Sequence, residues 1–194
     1  MKSTLATVTA LEATKNDIDV AVADLDIENR TITSWMNQRK EYGIKPLFKV
    51  YTVNSAREAL NCFQNEQLSI IEAPTIEIAL NSDLIIQPTT PGKKDMDLGI
   101  ETFVQLIKKG VPIEKLLFII TRIGSDSEYQ KAIQYLNYMK INDKNIKILS
   151  SAIWEKVSYR SAINDGLAIT ETQYPTLNDG AKAVIYQILT LLIK

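Results

Sequence analysis

The chain has 194 residues, of which 45% are hydrophobic, with a formal net charge of −1, a single cysteine and no histidine. The missing histidine excludes Ser-His-Asp triads, Cys-His pairs, His-ligated zinc and imidazole acid–base chemistry, and one cysteine excludes an internal disulfide or a cysteine metal cluster. Chemistry therefore has to come from carboxylates, lysine, hydroxyls or a bound cation, and a charge near zero supplies no global field for nucleic acid, so any DNA contact would need a local basic patch.

A chain of this length buries one sizeable core, and a single domain spanning 1–194 is expected. The elements alternate in period along it. A helix over 4–15 opens the chain with no strand before it, followed by a strand over 19–24, a helix over 29–42 and a strand over 46–51. Next come a helix over 55–65, with Cys62 on a face read as buried, and strands over 68–72 and 83–88. Helices are predicted over 95–109 and 126–139, strands over 115–121 and 145–149, and helices over 156–165 and 178–193. Ser55 before Glu58 has the spacing of a capping box, and Gly110 follows Lys108-Lys109 as a helix C-cap does. Short apolar runs between helical segments predict an α/β fold, a doubly wound and mostly parallel sheet with helices on both faces. The apolar stretches are too short and too charged for a membrane span, and no signal-peptide core is evident, so a cytoplasmic protein is expected.

In open parallel sheets ligands sit at the carboxyl ends of the strands. Asp24-Leu25-Asp26 ends the first apolar run, and two carboxylates two residues apart suit a divalent cation, or else a helix N-cap with solvated acids. Glu72 ends another run, suited to support a metal shell or simply to face water. The stretch from Gln87 to Asp95 reads as a loop with Asp95 able to cap a helix. Thr121-Arg122 brings a hydroxyl and a guanidinium that can hold a planar heterocycle. Lys2-Ser3-Thr4, opening a helix, has the order of the tail of a phosphate loop, in which lysine meets phosphate and the hydroxyl meets magnesium.

Taken in order, these segments resemble the ParA family of partition ATPases, the deviant Walker P-loop group that also contains MinD, and its short plasmid-type members in particular. The resemblance spans essentially the whole chain. It includes Thr33-Ser34-Trp35 and Arg39 after the Asp-x-Asp, Pro88-Thr89-Thr90-Pro91 with Asp95, and a late motif of Ile153, Tyr159-Arg160-Ser161-Ala162 and Gly166. It implies a slow ATPase that uses ATP and magnesium, dimerises on ATP, and serves plasmid or chromosome partition with a ParB-like adaptor and non-specific DNA, nucleoid-associated when active. Lys2 would contact phosphate, Ser3 would ligate magnesium and Thr4 would contact phosphate. Asp26 would position the attacking water, Asp24 and Glu72 would support the magnesium shell, and Thr121 and Arg122 would face adenine. Arg122, Lys156, Arg160, Lys182 and Lys194 are the basic residues offered for DNA. The terminal segment 181–194 reads as a helix packed on the sheet and not as a membrane anchor.

The sequence departs from the family pattern in three places. Met1 stands where the last glycine of the phosphate loop is expected, so the family's first strand and glycine loop are expected to lie upstream of this sequence. Ile27-Glu28 replaces Pro-Gln after Asp-x-Asp. Glu72 takes the place of the Walker B aspartate, and the segment from there to Asp83 is shorter than in the family. A non-catalytic paralogue that kept the fold and lost turnover is the alternative reading.

Overall fold

A computed structural model describes residues 1–72 and 75–192. Ala73, Pro74, Ile193 and Lys194 lie outside the described residues, and with them the end of the expected 178–193 helix and the Lys194 DNA contact. The order is α1 (Lys2–Lys15), β1 (Val20–Asp24), α2 (Thr31–Glu41), β2 (Lys49–Thr52), α3 (Ala56–Asn61), β3 (Leu68–Glu72), α4 (Ile76–Asn81) and β4 (Ile85–Thr89). It continues with α5 (Lys93–Lys108), a 3-10 turn (Ile113–Lys115), β5 (Leu116–Ile123), α6 (Asp126–Tyr138), β6 (Lys140–Ile141), β7 (Lys144–Asn145), β8 (Ile153–Trp154), α7 (Val157–Asn164) and α8 (Pro175–Leu192). The fold is α/β, with parallel sheets flanked by helices. Its contacts gather into two compact units, residues 1–78 with 157–192 and residues 79–156.

In the first unit three parallel strands run in the order β2-β1-β3. The central strand is short-chained and apolar, Val-Ala-Val-Ala, and is buried along its whole length. Its register sets Asp24 beside Glu72 on β3 and Thr52 on β2, so both acids end their strands at one level. Helix α1 has no glycine or proline to interrupt it, and it is buried from Leu5 to Ala13 with Ala6 alone half-exposed. It packs on β1, β3, α2 and α8, which accounts for burial on nearly all sides. Helix α8 supplies Val184, Ile185 and Ile188, all fully buried.

The second unit has parallel strands in the order β4-β5-β8 and a separate β6-β7 hairpin. Asn142 and Asp143 turn the hairpin with φ of 51° and 62°, left-handed values that Asn and Asp tolerate. The expected strand at 145–149 is not formed as such. Asn145 ends the hairpin, and Ile148 makes one isolated bridge with Phe118 while Ile146 and Leu149 are buried. The predicted helix over 55–65 stops at Asn61, which makes Cys62 a half-buried C-cap residue and not part of a buried helix face. The caps at Ser55 and Gly110 form as their spacing predicts. Ser55 Oγ accepts from Glu58 N at 3.1 Å, and Gly110 adopts φ 97°.

Gly99 on α5 lies close against Phe118 of β5. A Cβ there would stand 2.5 Å from Phe118 Cε1 and 2.8 Å from Cζ. Phe118 is fully buried and packed on Phe103 with ring centroids 4.4 Å apart, so it cannot swing clear. Gly99→Ala is therefore expected to cost about 1–3 kcal/mol by overpacking, against the roughly 1 kcal/mol that alanine gains over glycine in a free helix. Urea denaturation checks the sign; a stabilised variant would refute the packing argument.

Candidate functional site

The first unit brings together the amino end of α1 and the carboxyl ends of β1 and β3. Ser3 Oγ donates to Glu72 Oε1 at 2.7 Å. The other oxygen, Glu72 Oε2, is buried and has no hydrogen-bond partner among the described residues. Burial pushes the Glu72 carboxyl above its usual range; the Ser3 hydroxyl pulls it down, the charges of Asp24 and Asp26 push it further up, and Lys2 opposes them. A buried carboxylate oxygen left bare is costly, and it is where a hard cation would be accepted. Lys2 is exposed at the first position of the helix, where the backbone N–H groups lack intrahelical partners.

Asp24 is fully buried and its oxygens are already engaged. Oδ2 accepts from Thr33 N at 2.9 Å and from Thr33 Oγ1 at 2.7 Å, and Oδ1 accepts from Asp26 N at 3.2 Å. The N-cap position of α2 is Arg30, in the left-handed region and without a capping side chain. Asp24 reaches in from β1 and satisfies the third amide of α2, as a serine or aspartate N-cap ordinarily would. It thus supports the site by holding the turn that follows it. Asp26 lies in that turn, half-buried, with its carboxylate on Asn29 N at 3.2 Å and on Asn29 Nδ2 at 3.1 Å. Among the described residues no three Asp, Glu, Cys or His side chains form a metal cluster. The donor set of Ser3 and Glu72 still fits magnesium, which is commonly held by one or two protein oxygens with phosphate and water completing the shell.

Thr4 and Thr7 border a small half-open pocket whose other walls include Thr31, Trp35 and Leu167. Thr121 and Arg122 belong to the second unit. The Thr121 hydroxyl is buried and donates to Thr89 O at 3.1 Å, while Arg122 is exposed, has φ 58° and lies 3.8 Å from Glu155. The guanidinium, not the hydroxyl, is the exposed member of that pair. Sequence reasoning missed Arg30, which falls within the helix expected over 29–42 and two of whose acceptors, Val53 O and Asn54 Oδ1, are 23 and 24 positions away.

No protein-family model matches the chain, and no curated protein matches it in sequence. Solved structures do match in shape. A chain of the Aquifex aeolicus MinC:MinD cell division protein complex superposes with a TM-score of 0.70 at 12% identity, over 97% of this chain and 90% of that one. A plasmid partition protein from Borrelia burgdorferi bound to AMPPNP gives 0.65 at 13% identity, over 94% and 92%. A ParA family ATPase from Chlorobium tepidum gives 0.57 at 13% identity, over 96% and 91%. The chain has the ParA/MinD-type fold. At such identities the likeness concerns the fold alone. Glu72 Oε2, beside the α1 amino end, is one of two buried side-chain oxygens without a hydrogen-bond partner among the described residues, Ser151 Oγ being the other. Among the described residues no helix is long and apolar enough to cross a membrane.

Proposed function

We propose that this chain is a ParA-like ATPase of plasmid or chromosome partition, with ATP and magnesium bound at the amino end of α1, dimerisation on ATP, and a ParB-like adaptor and non-specific DNA as partners. The observation that carries the reading is the Ser3–Glu72 pair, with its bare, buried carboxylate oxygen at the end of a parallel strand. The ParA/MinD-type fold supports it, as does the AMPPNP bound by a neighbour of that fold. Ser3 and Glu72 would hold magnesium, Asp24 supporting that shell from behind; bound magnesium would neutralise charge on the phosphates. Lys2 and the helix N-terminus would meet phosphate, with Thr4 beside them. Asp26 would orient the attacking water. Thr121 and Arg122 are proposed as the adenine contacts. Arg122 and Lys156 in one unit, and Arg160 and Lys182 in the other, are the proposed DNA contacts. DNA retention that needs ATP and falls with salt tests that part.

A shift of melting temperature with magnesium and ATP is the first test, since a ligand that binds only the folded state stabilises it. Lys2→Ala and Ser3→Ala are expected to abolish the shift, and omitting magnesium is expected to weaken it. pH adds a signature. The raised carboxyl of Glu72 favours the fold while protonated, and that contribution is lost as pH rises through its folded-state value. Cation binding requires the ionised form, so the magnesium-dependent shift should grow with pH over that window. A chain that shows no magnesium-dependent shift at any pH would sink the proposal. The second reading, a non-catalytic paralogue, is favoured by the Asp26 carboxylate being occupied by Asn29; it predicts the shift without phosphate release.

A further inference from the structure

Beyond the roles above, the turn between β1 and α2 is held by a residue that none of them uses. Arg30 sits with φ 47° and ψ 46°, a conformation uncommon for a residue with a Cβ. Its backbone N–H donates to Asp26 O at 2.8 Å, closing the turn that carries the Asp26 carboxylate. The guanidinium then crosses to the strand ends. Nη1 donates to Asp24 O at 2.6 Å and to Val53 O at 2.7 Å, and Nη2 donates to Asn54 Oδ1 at 2.6 Å. These acceptors are neutral, and among the described residues Arg30 makes no ion pair, so the side chain is spent on geometry and not on neutralising a particular acid. Bonds from a charged donor are about twice as strong as neutral ones, and the rigid planar head suits three acceptors on two separate strand ends.

We infer that Arg30 is a positioning residue, which fixes the turn from Asp26 to Arg30 against the carboxyl ends of β1 and β2 and so sets where the Asp26 carboxylate stands. In the proposed ATPase, on which the catalytic part of this inference rests, it acts through Asp26 and not on the substrate. Removing it leaves Asp24 bonded to Thr33, so α2 keeps its first turn while the segment before it loosens.

Arg30→Gly is the informative variant, because glycine adopts the left-handed conformation without strain and offsets the stability lost with the side chain. Arg30→Lys keeps the charge without the fork. In the nucleotide-free chain, amide exchange across 26–30 and 53–54 is expected to rise on the order of tenfold in the glycine variant, less in the lysine variant, with other segments unchanged. Unchanged exchange there would overturn the inference. Steady-state kinetics follow. The value of kcat should fall on the order of 10- to 100-fold with KM altered less than about twofold, and lysine should restore part of it. Faster exchange with an unaffected kcat would overturn the positioning of Asp26. Faster exchange in a protein whose wild type shows neither a magnesium-ATP shift nor turnover would support the hold on the turn while sinking the ATPase reading itself.

Discussion

Arg39→Ala is expected to lower the unfolding free energy by about 3–5 kcal/mol, the range for breaking a buried ion pair from one side. Arg39 has no exposed surface, and all of its N–H donors are engaged. Nε donates to Pro46 O at 3.0 Å, Nη1 to Gly166 O at 3.0 Å and Glu171 Oε2 at 2.7 Å, and Nη2 to Lys45 O at 3.0 Å and Glu171 Oε1 at 2.9 Å. The guanidinium also lies 5.2 Å from the centroid of the Trp35 ring. Truncation strands three carbonyls and takes two bonds from the Glu171 carboxylate, which keeps Lys15 and the Ala168 N–H, each at 3.0 Å. Lysine cannot replace it, because a point charge does not reach five acceptor atoms in a plane. Urea unfolding measures the loss; a change under about 1 kcal/mol would mean that water repairs the site.

The same network fixes a pH dependence. Burial alone would raise the Glu171 carboxyl, but Arg39, the Ala168 N–H and Lys15 outweigh it and hold it below its usual value. A depressed acid contributes stability that is present above its unfolded value and is lost as pH falls through its folded one. Wild type should therefore lose stability on the acid side, and Arg39→Ala should flatten that limb. Glu72 moves the opposite way, since it is raised. The two acids separate a residue fully partnered within the fold from one whose second oxygen has no partner among the described residues, which is why the second is the better mark of a site.

Much of the fold was legible in the sequence, because β1, β3, β4 and β5 are apolar runs of strand length and α5, α6 and α8 carry a helical period. The strand over 68–72 came out residue for residue. Shorter elements did not. Helix α4, Thr75 followed by Ile-Glu-Ile-Ala-Leu-Asn, has too few residues for a 3.6-residue period to separate it from a strand. The alternating Ile-Lys-Ile-Leu over 146–149 looks like a strand, yet a ladder depends on the partner, and β5 bridges it only at Phe118. The contacts gather into two units, a grouping set by long-range contacts that no local window contains. For the site, chain order pointed to Lys2, Ser3, Asp24, Asp26 and Glu72, which all fall in one unit. What the order could not give was who bonds to whom. Ser3 and Glu72 are 69 positions apart, and Arg30 and Val53 are 23 apart.

Asp24→Ala separates the two meanings an aspartate at a strand end can have. A carboxylate kept only to receive a cation is an electrostatic burden on the empty protein, and its removal should leave stability unchanged or improve it. Asp24 is instead an acceptor for Thr33 N, Thr33 Oγ1 and Asp26 N, with no exposed surface. Alanine leaves Thr33 N and Asp26 N without this acceptor and the Thr33 hydroxyl with only Thr52 Oγ1 at 3.2 Å, and losing bonds to a charged acceptor is worth about 1.5–3 kcal/mol apiece before water and relaxation return part of it. The expected net loss is about 2–4 kcal/mol without magnesium or nucleotide present. Asp24→Asn would recover little, since an amide keeps one accepting oxygen where the carboxylate has two. Equal stability of Asp24→Ala and wild type in urea would return Asp24 to the role of a cation ligand. The expected loss makes it the strut on which the Asp26 turn and α2 are set, with Arg30 clamping the turn from the other side.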